Sequence, residues 1–463
     1  MTEQLKLKLN DSKATRWGAL VIVAFTMMAA YYVNDVVAPL KTMLETDLAW
    51  SSTDFGFFTG GYSFLNVFFL MLIWGGLILD RFGIRFTGKL ATILMVGGTA
   101  LEYYAMTGLA GADATLFGIN EIFGYKTGVF VAFAGYSIFG VGAEVAGITV
   151  SKIIAKWFKG KELATAMGVQ VALARIGSQA GYAVAIPLAR AFGISTPVLL
   201  GLVLLLGGLV AFFIFSVMDK KLDKQMEAAA IAAGTEDEEE KFSFKDVKNI
   251  LVNPGFWLIA LLCVLFYSCV FPFQKFASEL MIIKYGINEN VAGTFAGLPA
   301  LGALILTPVF GGFIDKRGKS ASIMLLGSAM LICVHFIYAI PDINYWLVAI
   351  VLMIILGIAF SLVPSAMWPA VAKIFPVSQL GTAYALIFFI QNIGLWGIPT
   401  LIGWVLDAYC ISGKKPDGTN MYDYTVPMCI FTGIACLSLI VALLLKKADK
   451  KYGYKLEEPN IQK

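Results

Sequence analysis

Runs of about twenty or more mostly apolar residues recur along most of the 463-residue chain. A helix needs about 20 such residues to cross a bilayer, where its backbone has to satisfy its own hydrogen bonds. Twelve runs meet this condition, and they predict an all-α polytopic membrane protein with twelve transmembrane helices. Their approximate bounds are 17–39, 54–79, 87–108, 127–151, 162–189, 195–218, 254–284, 289–314, 320–340, 345–372, 379–407 and 424–446.

The overall composition excludes two other classes of protein. Hydrophobic residues make up 59% of the chain and charged residues 14%, whereas soluble domains carry roughly 45–50% and about 25%. The net charge of +4 offers no basic excess for nucleic acid, and a single histidine leaves little for a metal site or a histidine-activated nucleophile. We therefore expect neither a soluble enzyme nor a nucleic-acid-binding protein, and we predict no cofactor or metal.

Lysine and arginine are concentrated at both chain ends and in the connections that follow even-numbered spans. These segments hold 27 of the 35 Lys and Arg residues, whereas the connections on the other side hold six. Cytosolic loops of membrane proteins carry an excess of these side chains. The sequence therefore predicts that both termini lie in the cytosol.

The segment 219–250 is the one long connection on the predicted cytosolic side, and it divides the chain into six spans and six. We predict a first bundle over 1–218, a cytosolic linker over 219–250, and a second bundle with a cytosolic tail over 251–463. The halves repeat each other, because Leu163-Ala-Thr-Ala recurs 217 residues later as Leu380-Gly-Thr-Ala. Paired six-span halves are typical of secondary transporters, whose substrate site lies near the membrane midplane between them.

A polar motif follows span two and recurs after span eight. The first copy ends in Asp80-Arg81-Phe-Gly83-Ile-Arg85, and Asp315-Lys316 stands at the matching place 235 residues later. This motif resembles the loop of the major facilitator superfamily, and the resemblance extends over essentially the whole chain. It implies two pseudo-symmetric six-helix bundles and a cytoplasmic latch, although positive-inside charges alone would also explain the basic residues. The latch residues would be Gly76, Asp80, Arg81, Gly83, Arg85, Asp315 and Lys316.

Two charged residues lie deep inside predicted spans, where an ionisable group is costly and by default indicates function. Glu144 lies eight residues before Lys152, about 12 Å into the membrane, and Arg175 lies thirteen residues after Glu162, about 20 Å in. An anionic and a cationic group offset by roughly 8 Å would suit a zwitterion with separated ends. The alternative is a structural ion pair between Glu144 and Arg175.

The 217-residue repeat places Ser361 and Asn392 of the second half at the positions of Glu144 and Arg175. Both are therefore candidate substrate contacts. Trp368 shares a helical face with Ser361 and is a candidate wall for a substrate side chain, although simple packing would explain it as well.

Four further charges lie within spans, and one of them, Glu102 in span three, is near an outer end, where a long side chain reaches the interface at little cost. Asp35 in span one is a candidate gate residue or proton carrier, and a structural role fits it equally. Lys275 and Glu279 in span seven stand four residues apart, and we interpret them as an ordinary helix pair.

Four segments lie in spans four, five, ten and eleven, namely Gly142-Ala-Glu144, Ala174-Arg175-Ile-Gly177-Ser, Ser361-Leu-Val-Pro-Ser-Ala-Met-Trp368-Pro and Ile390-Gln-Asn392-Ile-Gly394. These segments resemble the lysosomal dipeptide-uniporter family of animals and its prokaryotic relatives. In that family a glutamate of span four and an arginine of span five hold the two ends of the peptide. The resemblance therefore implies that Glu144 binds the amino group and Arg175 the carboxylate.

Features of lysosomal relatives are missing from this sequence. The N-terminal segment has no acidic-dileucine sorting signal, and the one Asn-x-Ser/Thr site, Asn10-Asp-Ser12, lies on the predicted cytosolic side. We therefore expect a bacterial inner membrane, a monomer and no accessory subunit.

The predicted function is alternating-access transport of dipeptides or similar small zwitterions. One alternative is proton-coupled or exchange transport of small organic carboxylates, with Arg175 as the binding residue. Another is a non-transporting receptor or scaffold on the same fold. Uniport, proton symport and exchange all fit these residues. The spacing of Cys410 and Cys429 leaves open whether they form a disulfide.

Overall fold

The computed structural model describes residues 8–111, 114–158, 161–233 and 244–460. In these ranges fifteen α-helices and two short β-hairpins form the regular structure. The helices before the linker are α1 (Lys13–Val36), α2 (Lys41–Asp47), α3 (Ser52–Phe68), α4 (Met71–Thr107), α5 (Thr127–Phe158), α6 (Leu163–Phe192) and α7 (Thr196–Ala233). After it come α8 (Phe244–Val252), α9 (Pro254–Tyr285), α10 (Glu289–Ala296), α11 (Leu298–Arg317), α12 (Ser320–Ala339), α13 (Trp346–Ile374), α14 (Val377–Tyr409) and α15 (Thr425–Tyr452). The hairpins pair β1 (Glu121–Ile122) with β2 (Tyr125–Lys126), and β3 (Ile411–Lys414) with β4 (Asn420–Tyr422).

Local sequence signals account for several helix ends. Ser51 and Asp54 form a reciprocal capping box at the start of α3, at 3.0 and 2.9 Å. Asn253 accepts a hydrogen bond from the Gly255 amide before α9, whose first residue is Pro254. Gly286 ends the same helix in the left-handed conformation, with φ of 61°.

Each of the twelve predicted spans coincides with one helix or with consecutive helical segments. In the described part of the chain, nine helices or joined helix pairs are long and apolar enough to cross a membrane. In addition, α3 and α4 form a pair bent by 59° that meets the condition together. The many-helix membrane architecture is confirmed, whereas the count of twelve crossings, with α6 and the two parts of α4, stays a prediction.

We divide the described helices at the gap in the described residues and call the two parts the first half (8–233) and the second half (244–460). We call one side of the molecule the terminal side. It holds the Lys13 end of α1, the C-terminal ends of α7 and α15, and the turn between α11 and α12. The α1–α3 connection, the turn between α9 and α10 and the β3–β4 hairpin define the opposite side. Helix α7 continues through 219–233, part of the predicted linker, and residues 234–243 lie outside the described ranges.

Helices α4 and α5 pack so closely that Gly98 has no room for a side chain. A methyl group on Gly98 would lie 2.4 Å from the Gly135 carbonyl oxygen, whereas one on Gly97 would meet nothing within 4 Å. We expect Gly98→Ala to destabilise the protein by about 1–3 kcal/mol, because the two backbones have to separate. Gly97→Ala is the matched control, and thermal melting of both purified variants in detergent checks the difference. Equal melting temperatures would contradict this packing.

The predicted latch residues make contacts within their own halves. Gly83 divides α4 with φ 74° and ψ 173°, a conformation that is essentially restricted to glycine. The exposed Asp80 carboxylate lies 3.0 Å from Lys152, and Arg85 lies 3.0 Å from Asp223 of α7. Arg81 lies over the ring of Phe82. Asp80 and Arg85 thus pair with residues of the first half in this conformation.

The copy of the latch in the second half is occupied by the C-terminal tail. Asp315 accepts a hydrogen bond from Asn460 at 2.8 Å, and Lys373 donates to the carbonyls of Lys455 and Glu458 at 3.1 and 2.6 Å. Lys316 is exposed, and Gly76 faces open space. The described part of the tail, up to residue 460, therefore contacts the terminal side of the second half.

Candidate functional site

A cavity of about 680 Å³ lies between the halves, and this is within the usual size range of small-molecule sites. Helices α1, α3, α5 and α6 of the first half and α9, α11, α13 and α14 of the second half line it, with one residue from α4. Three charged residues are on its wall, namely Glu144, Arg175 and Lys275. Two of the three are the deep charges that the sequence singles out.

Close helix packing presents a tyrosine to Glu144. A side chain on Gly140 would lie 2.0 Å from the Tyr62 carbonyl oxygen, so α5 and α3 touch beside Glu144. The Tyr62 hydroxyl donates a 3.0 Å hydrogen bond to Oε1 of Glu144. This bond orients one carboxylate oxygen, while both residues also line the cavity.

Arg175 is held by rings and not by a carboxylate. Its guanidinium lies 5.6 Å from the ring centre of Tyr31 and 4.8 Å from that of Phe360, which is the arrangement of a cation–π contact. Among the described residues, no carboxylate lies within ion-pair distance of Arg175, and Glu144 therefore does not neutralise it. The ion pair that the sequence left open is not formed in this conformation.

The three predicted contacts from the second half differ in their placement. Trp368 lines the cavity and stacks on Phe388 with ring centres 4.8 Å apart. Ser361 is fully buried and donates to the Gly357 carbonyl one turn earlier, at 2.7 Å. Asn392 is also buried, and its amide donates to the Phe388 carbonyl at 2.9 Å.

Neither Ser361 nor Asn392 is on the cavity wall, so a direct substrate contact does not fit this geometry. The cavity is lined instead by Ser365, one turn after Ser361, and by Gln391, beside Asn392. The internal repeat marks the right helices, but the rotation of each helix decides which polar side chain faces the cavity.

Asp35 lies behind the wall, in a contact between the halves. Its carboxylate accepts from Ser178 and lies 3.3 Å from Nζ of Lys275, which also donates to the Asn34 carbonyl at 2.6 Å and to the Tyr136 hydroxyl at 3.3 Å. Lys275 belongs to α9 and all of these partners to the first half. Asp35 thus acts as the counter-charge of a cavity lysine, which the sequence did not predict.

A second set of charges joins the halves on the opposite side, and we call Lys41, Glu45, Glu279 and Lys415 the opposite-side charge cluster. Nζ of Lys41 lies 2.5 Å from both Glu45 and Glu279, and Lys415 lies 3.8 and 3.6 Å from the same two carboxylates. The Tyr424 hydroxyl donates to Glu279, and all four charges are buried or nearly so. The interpretation of Lys275 and Glu279 as a helix pair is therefore wrong, because each binds the first half separately.

Other contacts between the halves also lie on the opposite side. The Asp407 carboxylate of α14 accepts hydrogen bonds from the amides of Ser52 and Thr53, at 3.3 and 2.6 Å, at the beginning of α3. Arg190 of α6 pairs with Glu289 of α10. The cavity is thus closed toward the opposite side, while its lining continues toward the terminal end of α5 at Ser151.

The six cysteines are unpaired, including Cys410 and Cys429.

Comparison with other proteins supports the same fold. The family model of the Major Facilitator Superfamily matches residues 20–399 and 276–458. The lysosomal dipeptide transporter MFSD1 of Homo sapiens is 29% identical over 454 residues, covering 95% of this chain and 88% of the human protein. MFSD1 of Danio rerio is 26% identical over 441 residues, covering 93% and 86%.

Solved structures of transporters match at lower sequence identity. A D-xylose–proton symporter superposes with a TM-score of 0.66 at 14% identity, covering 93% of this chain and 97% of its own. A bacterial homologue of the human lysosomal transporter Spinster, in an inward-facing and occupied conformation, superposes with a TM-score of 0.67 at 13% identity, covering 97% and 100%. Together with the helical architecture and the cavity between the halves, these matches show that the chain belongs to the Major Facilitator Superfamily and is a membrane transporter.

Proposed function

We propose that the chain moves dipeptides or similar small zwitterions by alternating access, with the amino group on Glu144 and the carboxylate on Arg175. The observation that carries this proposal is that the two charges share one cavity wall without neutralising each other. Glu144 keeps a carboxylate oxygen beyond its bond to Tyr62, and Arg175 keeps its donors, because rings and not carboxylates surround it. Each group can therefore form charge-assisted hydrogen bonds with a ligand of opposite charge.

The dimensions of a dipeptide suit this arrangement. Its charged ends are separated by about two residue rises, or roughly 7 Å in an extended chain. Glu144 and Arg175 lie on different helices of the same half and line the same cavity. Their positions in the sequence place them roughly 8 Å apart along the membrane normal, which is close to the length of an extended dipeptide. The MFSD1 proteins to which this chain is similar are lysosomal dipeptide transporters, which supports the same class of substrate.

We further propose that the terminal side faces the cytosol, because that side carries most of the Lys and Arg residues. In this orientation the conformation described above is open to the cytosol and closed on the other face. A bacterial inner membrane remains the placement that the sequence predicts.

The proposal is tested by thermal stabilisation of the purified protein against free dipeptides, N-acetylated dipeptides and free amino acids. A ligand at 100 times its Kd raises the unfolding free energy by about 2.7 kcal/mol. We expect free dipeptides to raise the melting temperature and N-acetylated ones to have little effect, because acetylation removes the positive charge that Glu144 binds. Equal stabilisation by both would instead favour a carboxylate transporter that uses Arg175.

Flux separates a transporter from a receptor on the same fold. In proteoliposomes, we expect a dipeptide that stabilises the protein to be taken up saturably and to be displaced by an excess of unlabelled dipeptide. Binding without uptake in both membrane orientations would contradict transport.

A further inference from the structure

The two walls of the cavity differ in chemistry. The rings that the first half contributes all carry a hydroxyl, namely Tyr31, Tyr62 and Tyr136. The second half contributes five rings, of which only one carries a hydroxyl. They are Tyr267, Phe271, Phe360, Trp368 and Phe388. The charged wall thus faces a mainly aromatic one.

Three polar side chains on the aromatic wall have partners within the protein. The Ser365 hydroxyl donates to the Ser361 and Thr307 carbonyls, at 2.7 and 3.2 Å. The Gln391 oxygen accepts from the Cys263 thiol at 3.3 Å, and Lys275 is held by the first half. What this wall offers a ligand is therefore chiefly apolar ring surface.

Three of its rings form one cluster beside Arg175, and we call Tyr267, Phe271 and Phe360 the aromatic trio. Phe271 stacks on Tyr267 with ring centres 5.5 Å apart and meets Phe360 edge-on at 5.3 Å. Phe360 is the ring that lies 4.8 Å from the Arg175 guanidinium. Phe271 is half-buried, so part of its ring remains open to the cavity.

We propose that the aromatic trio receives the side chain of the residue that bears the substrate's carboxylate, and that it favours large apolar side chains there. The proposal rests on the proposed function, because it places the carboxylate on Arg175. A carboxylate bound to this guanidinium lies within one residue's reach of Phe360 and Phe271, whereas the amino-terminal residue lies toward Glu144. The site therefore distinguishes the two sequence isomers of a dipeptide.

Binding of Ala-Ala, Ala-Phe and Phe-Ala, measured by competition against a labelled dipeptide, tests this proposal. We expect the wild type to bind Ala-Phe about tenfold more tightly than Ala-Ala, which is the effect of burying one aromatic ring against others. Phe271→Ala should remove most of this gain and leave the affinities for Phe-Ala and Ala-Ala within about twofold of their wild-type values. Phe271→Leu, which keeps apolar volume, should have an intermediate effect and guards against misfolding of the alanine variant.

Phe388→Ala is the matched control, because its ring lies on the same wall but stacks on Trp368 and not on the trio. It should keep the preference for Ala-Phe over Ala-Ala. Equal losses for Ala-Phe and Phe-Ala in Phe271→Ala, or a wild type without preference between the isomers, would overturn the proposal. If none of the three dipeptides binds to the wild type, the dipeptide assignment fails instead, and the two failures are distinguishable.

Discussion

Arg175→Lys and Glu144→Gln should each abolish measurable dipeptide transport while leaving the amount of folded protein unchanged. Glutamine keeps the size of Glu144 and its hydrogen bond from Tyr62 but loses the charge for the ligand's ammonium group. Lysine keeps the charge of Arg175 but loses the planar fork that binds a carboxylate through two parallel hydrogen bonds and stacks on rings. Loss of one partner from a desolvated charge pair costs about 2–5 kcal/mol, so affinity should fall at least about 30-fold.

The measurement is uptake of a labelled dipeptide into proteoliposomes that contain equal amounts of each variant. Ser361→Ala is the control, because Ser361 is a predicted contact whose hydroxyl is bonded to its own helix away from the cavity. We expect this variant to transport at close to the wild-type rate. Normal uptake by Arg175→Lys and Glu144→Gln would refute the site, and loss of uptake in Ser361→Ala would restore its role as a contact.

Glu279→Gln should shift the transporter toward the conformation that is open on the opposite side. Glu279 accepts hydrogen bonds from Lys41 and Tyr424 and lies 3.6 Å from Lys415, while Glu45 supplies the other negative charge of the cluster. Without Glu279, two buried lysines face one carboxylate. Removing one partner of a buried ion pair costs about 3–5 kcal/mol, and each 1.4 kcal/mol changes a conformational equilibrium about tenfold.

The expected shift is measurable as a distance between spin labels at Phe192→Cys and Val291→Cys, in a background without native cysteines. Both positions are exposed, on α6 and α10, where the halves meet on the opposite side. We expect Glu279→Gln to populate longer label distances, since the closed state loses its buried counter-charge.

Glu289→Gln is the matched control for this experiment. It removes an ion pair with Arg190 from the same boundary between the halves, but both side chains are about 40% exposed. An exposed pair contributes only about 0–1 kcal/mol, so this variant should keep the wild-type distances. Equal distance distributions in Glu279→Gln and the wild type would show that the opposite-side charge cluster does not hold that side closed.

The sequence predicted the helical architecture well because the bilayer imposes the same length and hydropathy on every span. It also located Glu144 and Arg175, because a charge inside a span is costly whatever surrounds it. The repeat correctly predicted that α13 and α14 contribute to the cavity. It did not predict that Ser365 and Gln391 line the cavity while Ser361 and Asn392 do not, because that choice depends on how each helix is rotated in the bundle.

The partners of the charges were the main feature that only the tertiary structure decided. Spacing of four residues favoured a pair between Lys275 and Glu279, yet these side chains bind Asp35 and Lys41, which are more than 200 positions away in the chain. The sequence by itself determined the membrane class, the repeated halves and the two exceptional charges, since these follow from hydropathy and local order. Which charge neutralises which, and which side of the cavity is closed, depends on how the two halves dock, and docking brings together residues that no local pattern relates.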